Sequence, residues 1–386
     1  MTLRPGTTIA LDFRWLDQLN IGNGQFRYCA ALIDGLSKLR VEARFVVIGS
    51  RQAPPDSLDH VFRDRARWRY RQLPTWKVRG NYYFDHVRYG WLLWQERVDL
   101  VHSLHTFLPW LSPRRRVVTI YDMMLELFPE YHEAVRSRPY RFFKAAIQRT
   151  RPSIIAISRT TADDLHRLWN VPLSTITVVH LSATPIEPRR RATIEKIAAL
   201  KASFVLTPFN LEPRKNLLSL MRAMADVRRT HADVRLVLYG RAAITPEREH
   251  QFERAVRELG LQDAIILTGP VSDAELGFLH QRATLFVFPS LYEGFGLPAL
   301  DAMAAGLCTV ARNQSAMTEV LGEAGVQIET AEPILLAATI RSLLDNPKRR
   351  ADLGHAGRRR SSQFTSDLMA RGTVAVYEKA LEACNA

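Results

Sequence analysis

Short apolar runs alternate with helical stretches along the chain, and the alternation starts twice. In the first half TTIALDF (7–13), VEARFVVIG (41–49), DLVHS (99–103), RVVTIYD (116–122), SIIAIS (153–158) and TITVVH (175–180) read as strands. The run GQFRYCAALIDGLSKL (24–39) has helical spacing, and Ser158 stands as a cap before the helix TTADDLHRLW. Runs this short, β-branched and almost wholly apolar fit strands buried on both faces of a parallel sheet. The texture changes at LSATPIEPRRRATIEKIAALKA (181–202), whose prolines and basic cluster predict a linker with a short helix. The pattern then restarts with the strands FVLTPF (204–209), VRLVLYG (234–240), AIILTG (264–269), TLFVFPS (284–290) and CTVARN (308–313). Helices lie between them, including EREHQFERAVRELG (247–260) and DAELGFLHQR (273–282), and the chain closes on DLMARGTVAVYEKALEA (367–383). Repeated strand–helix units predict an α/β protein of two doubly wound, Rossmann-like domains, with ligand at the carboxyl ends of the strands. The expected boundaries are a first domain at 1–182, a linker at 183–202, a second domain at 203–366 and a final helix at 367–386.

Length agrees with two domains, since 386 residues is long for one core. Hydrophobic residues at 47% and charged residues at 24% exclude a disordered chain. Cys29, Cys308 and Cys384 lie far apart in no metal-like spacing, so reduced thiols and a cytoplasmic protein are expected. The opening MTLRPGTTIALDF lacks the basic end and apolar run of a signal peptide, and no apolar stretch nears the roughly 18 residues of a spanning helix. The net charge of +14 changes the picture more. It suits an anionic partner: nucleic acid, an acidic membrane face or a phosphorylated substrate.

The basic residues are patchy. They concentrate at 63–97, at 188–191, at 348–350 and at 358–360. Residues 63–97 interleave arginines with Trp68, Trp76, Trp91, Trp94 and four tyrosines. Two readings stay open there. One is a surface meeting an acceptor or an anionic membrane. The other is a solvated basic helix whose aromatics pack on the sheet. Helix RSRPYRFFKAAIQRTR (136–151) extends either reading, with Phe142, Phe143 and Ile147 as candidate core. No zinc spacing, aromatic RNA-binding string or recognition-helix motif is present, so a nucleic-acid role is disfavoured.

The chemistry concentrates in PSLYEGFGLPALDAMAAG (289–306). A strand delivers the chain to a double-glycine turn, and Pro298 starts the next helix where its missing N–H costs little. The free N–H groups of such a turn, aided by the helix dipole, form an anion site, and glycine lets a phosphate approach closely. Glu293 before the turn is placed to accept from sugar hydroxyls, and Asp301, about one turn into the helix, from a ribose. For either acid alone, a capped helix with acids at its positive end, at about 0.3–1 kcal/mol each, is the better explanation.

The whole string closely resembles the donor-site motif of the retaining glycosyltransferases of family 4. EPRKN (212–216), LYGR (238–241), TGPVSDAEL (268–276), MTEVLGEAG (317–325), VVTIYD (117–122), IAISRTTADDL (155–165) and IGNGQFRY (21–28) also fall in family order, so the resemblance spans nearly the whole chain. It implies the GT-B fold: two Rossmann-like domains facing across an interdomain cleft, the first for the acceptor and the second for a nucleotide sugar, with the last helix crossing back to the first domain. It implies that Glu293 engages the transferred sugar and Asp301 the ribose. Arg214 and Lys215 would hold the diphosphate, with the N–H groups of Phe295, Gly296 and Leu297. Gly240, Gly294 and Asn210 would complete the donor site, and Gly22 and Gly24 match the family's glycine loop. With cations stabilising the leaving diphosphate, neither metal ion nor other cofactor is expected.

Three positions depart from the family. Asp301 stands where Glu is usual, Asn210 where Arg is frequent, and Tyr121 replaces the His before Asp122. His105 in VHSLHTF is the candidate to take part of that histidine's place beside Asp122, although a lone histidine at a strand end is more often packed or solvated. The expected activity is retaining transfer of a hexose to a glycan or lipid-linked acceptor in surface polysaccharide or glycolipid synthesis, at the inner face of a membrane. GDP-mannose ranks first as donor, ahead of UDP sugars and dTDP-rhamnose. A nucleotide-sugar-binding protein with a decayed site is the alternative.

Overall fold

The apolar run at Thr7–Asp12 forms β1 with every residue buried, as expected of a central strand. In this computed structural model the described residues are 3–14, 24–73, 82–105, 112, 115–131, 138–183, 194–240 and 245–382. The chain divides into two compact units, one of Met1–Ser182 with Thr365–Ala386, the other of Ala183–Phe364.

After β1 the first unit continues with α1 (Gly24–Lys38), β2 (Ala43–Gly49), β3 (Trp68–Gln72), α2 (Tyr82–Gln95), β4 (Leu100–Ser103) and β5 (Arg116–Ile120). Then come α3 (Met124–Leu127), α4 (Arg138–Thr150), β6 (Ser153–Ala156), α5 (Arg159–Trp169) and β7 (Ile176–Val178). Among the described residues the sheet has seven parallel strands in the order β3-β2-β1-β4-β5-β6-β7. Order reverses between β1 and β4, which makes their carboxyl ends the place for a ligand. The edge strand β3 was not anticipated. It lies in the arginine-rich stretch, where WRYRQ alternates aromatic and charged residues at the strand period but is too short and too polar to stand out. Ser158 does cap α5: its Oγ accepts the Thr161 N–H at 3.0 Å.

One sheet face is covered by α2, where Tyr89, Leu92 and Leu93 pack on Ala10, Val46, Ile48 and Val101. The strand register places Val118 and Ile154 on that same face, where Phe143, Ile147 and Leu165 of α4 and α5 cover them. Of the aromatics left open by the sequence, Trp68 is buried and stacked on Phe45 with centroids 4.5 Å apart, whereas Trp91 and Trp94 are exposed. Trp76 lies outside the described residues.

The second unit runs through α6 (Glu195–Ala198), β8 (Phe204–Pro208), α7 (Leu217–Val227), β9 (Arg235–Tyr239), α8 (Pro246–Glu258), β10 (Ile265–Gly269) and α9 (Asp273–Arg282). It continues with β11 (Leu285–Phe288), α10 (Leu297–Ala304), β12 (Thr309–Arg312), α11 (Met317–Leu321), β13 (Val326–Ile328), α12 (Pro333–Leu344) and α13 (Pro347–Ser361). Its six described strands are parallel in the order β10-β9-β8-β11-β12-β13, so the reversal falls between β8 and β11. The arginines of α13 serve helix ends. Arg350 donates to the carbonyls of Leu343 and Leu344, Arg358 to Ala305 at 2.8 Å, and Arg360 to Glu319 at 2.6 Å. Cations there meet the negative ends of α12, α10 and α11.

The last helix, α14 (Ser366–Glu382), belongs to the first unit. It packs closely on α1: a side chain at Gly35 would lie 2.5 Å from the Ser366 carbonyl. A buried chain of hydrogen bonds locks it to the sheet, from Tyr377 Oη to His102 Nδ1 (2.7 Å) and from His102 Nε2 to Thr119 Oγ1 (2.8 Å). No described helix is long and apolar enough to cross a membrane.

Candidate active site

The order reversal in the second unit brings two loops together, Phe209–Asn216 after β8 and Pro289–Gly296 after β11. Backbone bonds lace them: the Leu291 N–H donates to the Arg214 carbonyl at 2.7 Å. Asn216, left-handed at φ 54°, ends the Pro213–Lys215 turn and sends its Nδ2 to the Pro289 carbonyl at 3.4 Å. That lacing places Lys215 Nζ 2.6 Å from Glu293 Oε1, with Arg214 Nη1 at 3.5 Å. Arg214 is held in turn by Glu212, Nε to Oε2 at 2.8 Å. Glu293 is 8% exposed. Burial pushes its carboxyl up, but the charges of Lys215 and then Arg214 outweigh that and hold it below the ordinary value. A lysine has three N–H donors, so the one directed at Glu293 leaves two for an anion.

The turn before α10 follows from its glycines. Gly296 is left-handed at φ 94°, and a side chain there would meet Met317 Cε at 1.9 Å. Pro298 falls in the first turn of α10, as the sequence predicts. In the first turn Pro298 has no N–H, and those of Ala299 and Leu300 donate to the Gly296 carbonyl at 2.9 and 3.2 Å, so the Leu297 N–H is the one without an intrahelical acceptor by position. Gly294 joins Glu293 to the buried Phe295, whose ring contacts Phe364 with centroids 5.8 Å apart. Asp301 sits on α10 and is 3% exposed. Asn210 spends its Oδ1 on the Glu212 N–H at 2.8 Å and so shapes the basic loop. Gly240 follows β9 at φ 93°, and among the described residues no atom lies within 4 Å of where its side chain would start. A third loop props the turn: the Glu293 N–H donates to Ser315 Oγ at 3.1 Å.

The first unit has its own charged cluster at its own reversal. Asp12 ends β1, and Arg14 grips it with two bonds, Nε to Oδ1 at 3.0 Å and Nη2 to Oδ2 at 2.9 Å. His105, just past β4, brings Nε2 to 3.3 Å from Asp12 Oδ1. The Arg14 guanidinium covers the Tyr89 ring at 4.4 Å. Burial raises the Asp12 carboxyl, but Arg14 with His105 outweighs it and keeps it far below the carboxylate range. Burial and the Arg14 charge push His86 down to about 4. Sequence reasoning found His105 but missed Asp12 and Arg14. The available signal was a charged Asp-Phe-Arg closing an otherwise apolar central strand.

The other first-unit candidates are placed differently. Asp122 accepts the Met124 N–H at 2.9 Å and starts α3. Tyr121 donates its hydroxyl to the Leu104 carbonyl at 2.6 Å, and burial raises its pKa well above 10. Gly24 is the first residue of α1 rather than part of a loop, and Gly22 lies outside the described residues. Among the described residues no group of three His, Cys, Asp or Glu side chains is arranged to hold a metal ion.

A family model described as Glycosyltransferase Family 4 matches residues 22–182, and one described as Glycosyl transferases group 1 matches 190–360. The chain belongs to glycosyltransferase family 4. Within the family, the MMP alpha-(1->4)-mannosyltransferase of Mycolicibacterium hassiacum is 33% identical over 241 residues. That match covers 61% of this chain and only 56% of the relative. The O-antigen chain mannosyltransferase B of Escherichia coli is 28% identical over 301 residues, covering 75% of this chain and 77% of that one. A glycosyltransferase fold is also found by shape: an Anabaena protein solved with UDP and glucose superposes at TM-score 0.74 and 16% identity, covering 97% of this chain and 100% of that one. At that identity the likeness shows the fold alone, which is GT-B.

Proposed function

We propose that this family 4 chain moves a hexose from a nucleotide sugar to a hydroxyl of a glycan or lipid-linked acceptor, with retention at the anomeric carbon. The observation that carries the reading is the Lys215–Glu293 pair with Arg214 at the order reversal of the second unit. Two cations and the turn N–H groups form an anion site matched to a diphosphate, and Glu293 beside them is an acceptor for sugar hydroxyls. Asp301 is assigned to the ribose. In the reaction the anomeric carbon–oxygen bond to the diphosphate breaks and the acceptor oxygen bonds the same carbon. The acceptor proton passes to the departing diphosphate oxygen. Lys215 and Arg214 stabilise the charge on the leaving group, the work a metal ion does elsewhere. Mannose from GDP-mannose is the first donor to try, because two relatives are named mannosyltransferases.

The test is a thermal-shift panel of nucleoside diphosphates and nucleotide sugars, followed by donor turnover with and without EDTA. A bound donor raises the midpoint by mass action. The proposal expects a shift, turnover insensitive to EDTA, and loss of turnover in Glu293→Ala. A panel with no shift overturns the donor site. A second reading, binding without turnover, is favoured by Tyr121, whose hydroxyl is spent on Leu104 where the family's histidine would stand. A shift without turnover over every acceptor tried establishes that reading instead.

A further inference from the structure

The aromatic residues of α2 do not all join the core. Tyr89, Leu92 and Leu93 face the sheet, but Val87, Trp91 and Trp94 are 38%, 59% and 76% exposed. Their spacing of four and then three residues puts them on one stripe of the helix. Exposed single apolar residues are ordinary, but two tryptophans side by side in water are not. Arginines gather at the C-terminal end of the helix. Arg69 and Arg71 reach from the edge strand β3 to Glu96, about half a turn round the helix from the stripe, and Arg97, two residues past the helix end, is exposed. Three arginines and one carboxylate leave that end of the helix with a net positive charge. The next helix on the same sheet face, α4, exposes Phe142 beside Arg138, Arg141 and Arg149.

We propose that this α2 stripe, Val87, Trp91 and Trp94, with the basic C-terminal end of the helix beside it, docks on an anionic lipid bilayer. Tryptophan rings prefer the headgroup boundary, where the indole N–H stays wet and the ring leaves water. The arginines add attraction to acidic lipid headgroups. Charge selects among the partners that could cover the stripe. A second copy of this chain would bring the same cations against themselves, which is unfavourable. Nucleic acid would satisfy the arginines, but a convex helical ridge with Val87 at its start offers an apolar edge to insert rather than a groove to track a strand.

The experiment uses the full chain with sedimenting vesicles, either all phosphatidylcholine or with about a third phosphatidylglycerol. The wild type is expected to pellet with the acidic vesicles only, and less as salt rises. Trp91→Ala with Trp94→Ala is expected to weaken binding by about tenfold or more, because the buried apolar area is removed. Both positions are exposed, so the thermal midpoint and its shift by nucleoside diphosphates should stay as in the wild type. That control separates failure here from failure of the donor site. No pelleting by the wild type overturns the proposal, as does equal pelleting by the double variant. So does concentration-dependent dimerisation, or oligonucleotide binding, that the double variant abolishes while vesicle binding stays unchanged.

Discussion

Lys215 Nζ and Glu293 Oε1 meet at 2.6 Å although 78 residues separate them in the chain. The pair is nearly buried, and its members are unequal in what their loss should do. Lys215→Ala leaves Glu293 with Arg214 at 3.5 Å, so the carboxylate keeps one partner. Turnover should fall by about a hundredfold or more, because a cation is removed from the leaving group. Glu293→Gln leaves Lys215 without its anion, while Arg214 keeps Glu212, and should cost about 3 kcal/mol of stability as well as turnover. Initial rates and urea midpoints of the two variants check the contrast.

Glu293 also sets a pH dependence. Its carboxyl titrates lower in the folded protein than in the unfolded chain, so the unfolded chain binds the extra proton. Its stabilisation is complete above the ordinary glutamate value of about 4.3 and is lost as pH falls through the depressed one. The Glu293→Gln variant should therefore lose less stability than wild type between pH 6 and pH 3. Urea midpoints at the two pH values measure it.

His102 predicts a second acid sensitivity, at a higher pH and in the first unit. Burial lowers it from 6.5 to about 3, so it stays neutral between Tyr377 and Thr119 while the unfolded histidine takes up a proton. Stability from this site is full above pH 6.5 and falls as pH drops toward 3. The loss between pH 7 and pH 5 is about 2 kcal/mol. Hydrogen exchange in β4 and α14 should quicken over that interval, and His102→Gln should flatten the change. An unchanged exchange profile in wild type would sink the assignment.

Most of the strands and the turn before α10 were legible because they obey local rules. TTIALDF is β-branched and apolar up to Asp12, and the Gly-Phe-Gly-Leu-Pro turn admits few conformations. The pairing of Lys215 with Glu293 could be expected only through the family resemblance, since the order reversal that joins their loops is a property of the sheet. Asp12 and Arg14 were missed because a charged pair buried at 0% and 1% exposure looks, in sequence, like a strand end in solvent. The triple arginine of α13 counts, in sequence, among the basic clusters of a chain suited to an anionic partner. In the structure Arg358 and Arg360 cap helices, and nothing in the spelling RRR distinguishes the two uses. Trp68 and Trp94 belong to one basic aromatic stretch, and only the unforeseen strand β3 decides that the first is core and the second is surface.

Gly296 is held in place twice over. Its φ of 94° disfavours any side chain, and Met317 Cε occupies the space a Cβ would need. Gly296→Ala should therefore cost more than the roughly 1 kcal/mol of backbone strain alone. Shortening the obstacle separates the two contributions. Adding Met317→Ala to Gly296→Ala should recover part of the stability lost relative to Met317→Ala alone, and a double-mutant cycle on thermal midpoints reads the coupling.

Ser315 offers the sharper separation of geometry from stability. It is left-handed at φ 55°, uncommon for a residue with a side chain, and its Oγ accepts the Glu293 N–H at 3.1 Å. Ser315→Ala deletes the hydrogen bond and keeps the backbone strain, so it should lower stability by about 1 kcal/mol. Ser315→Gly deletes the same bond but relieves strain of about the same size, so its stability should stay near wild type. If the hydroxyl anchors Glu293 for the reaction, both variants lose turnover to a similar degree despite their different stabilities. If only the loop's rigidity matters, turnover will follow the thermal midpoint and the glycine variant will keep its rate. Measuring the two variants side by side decides between these outcomes.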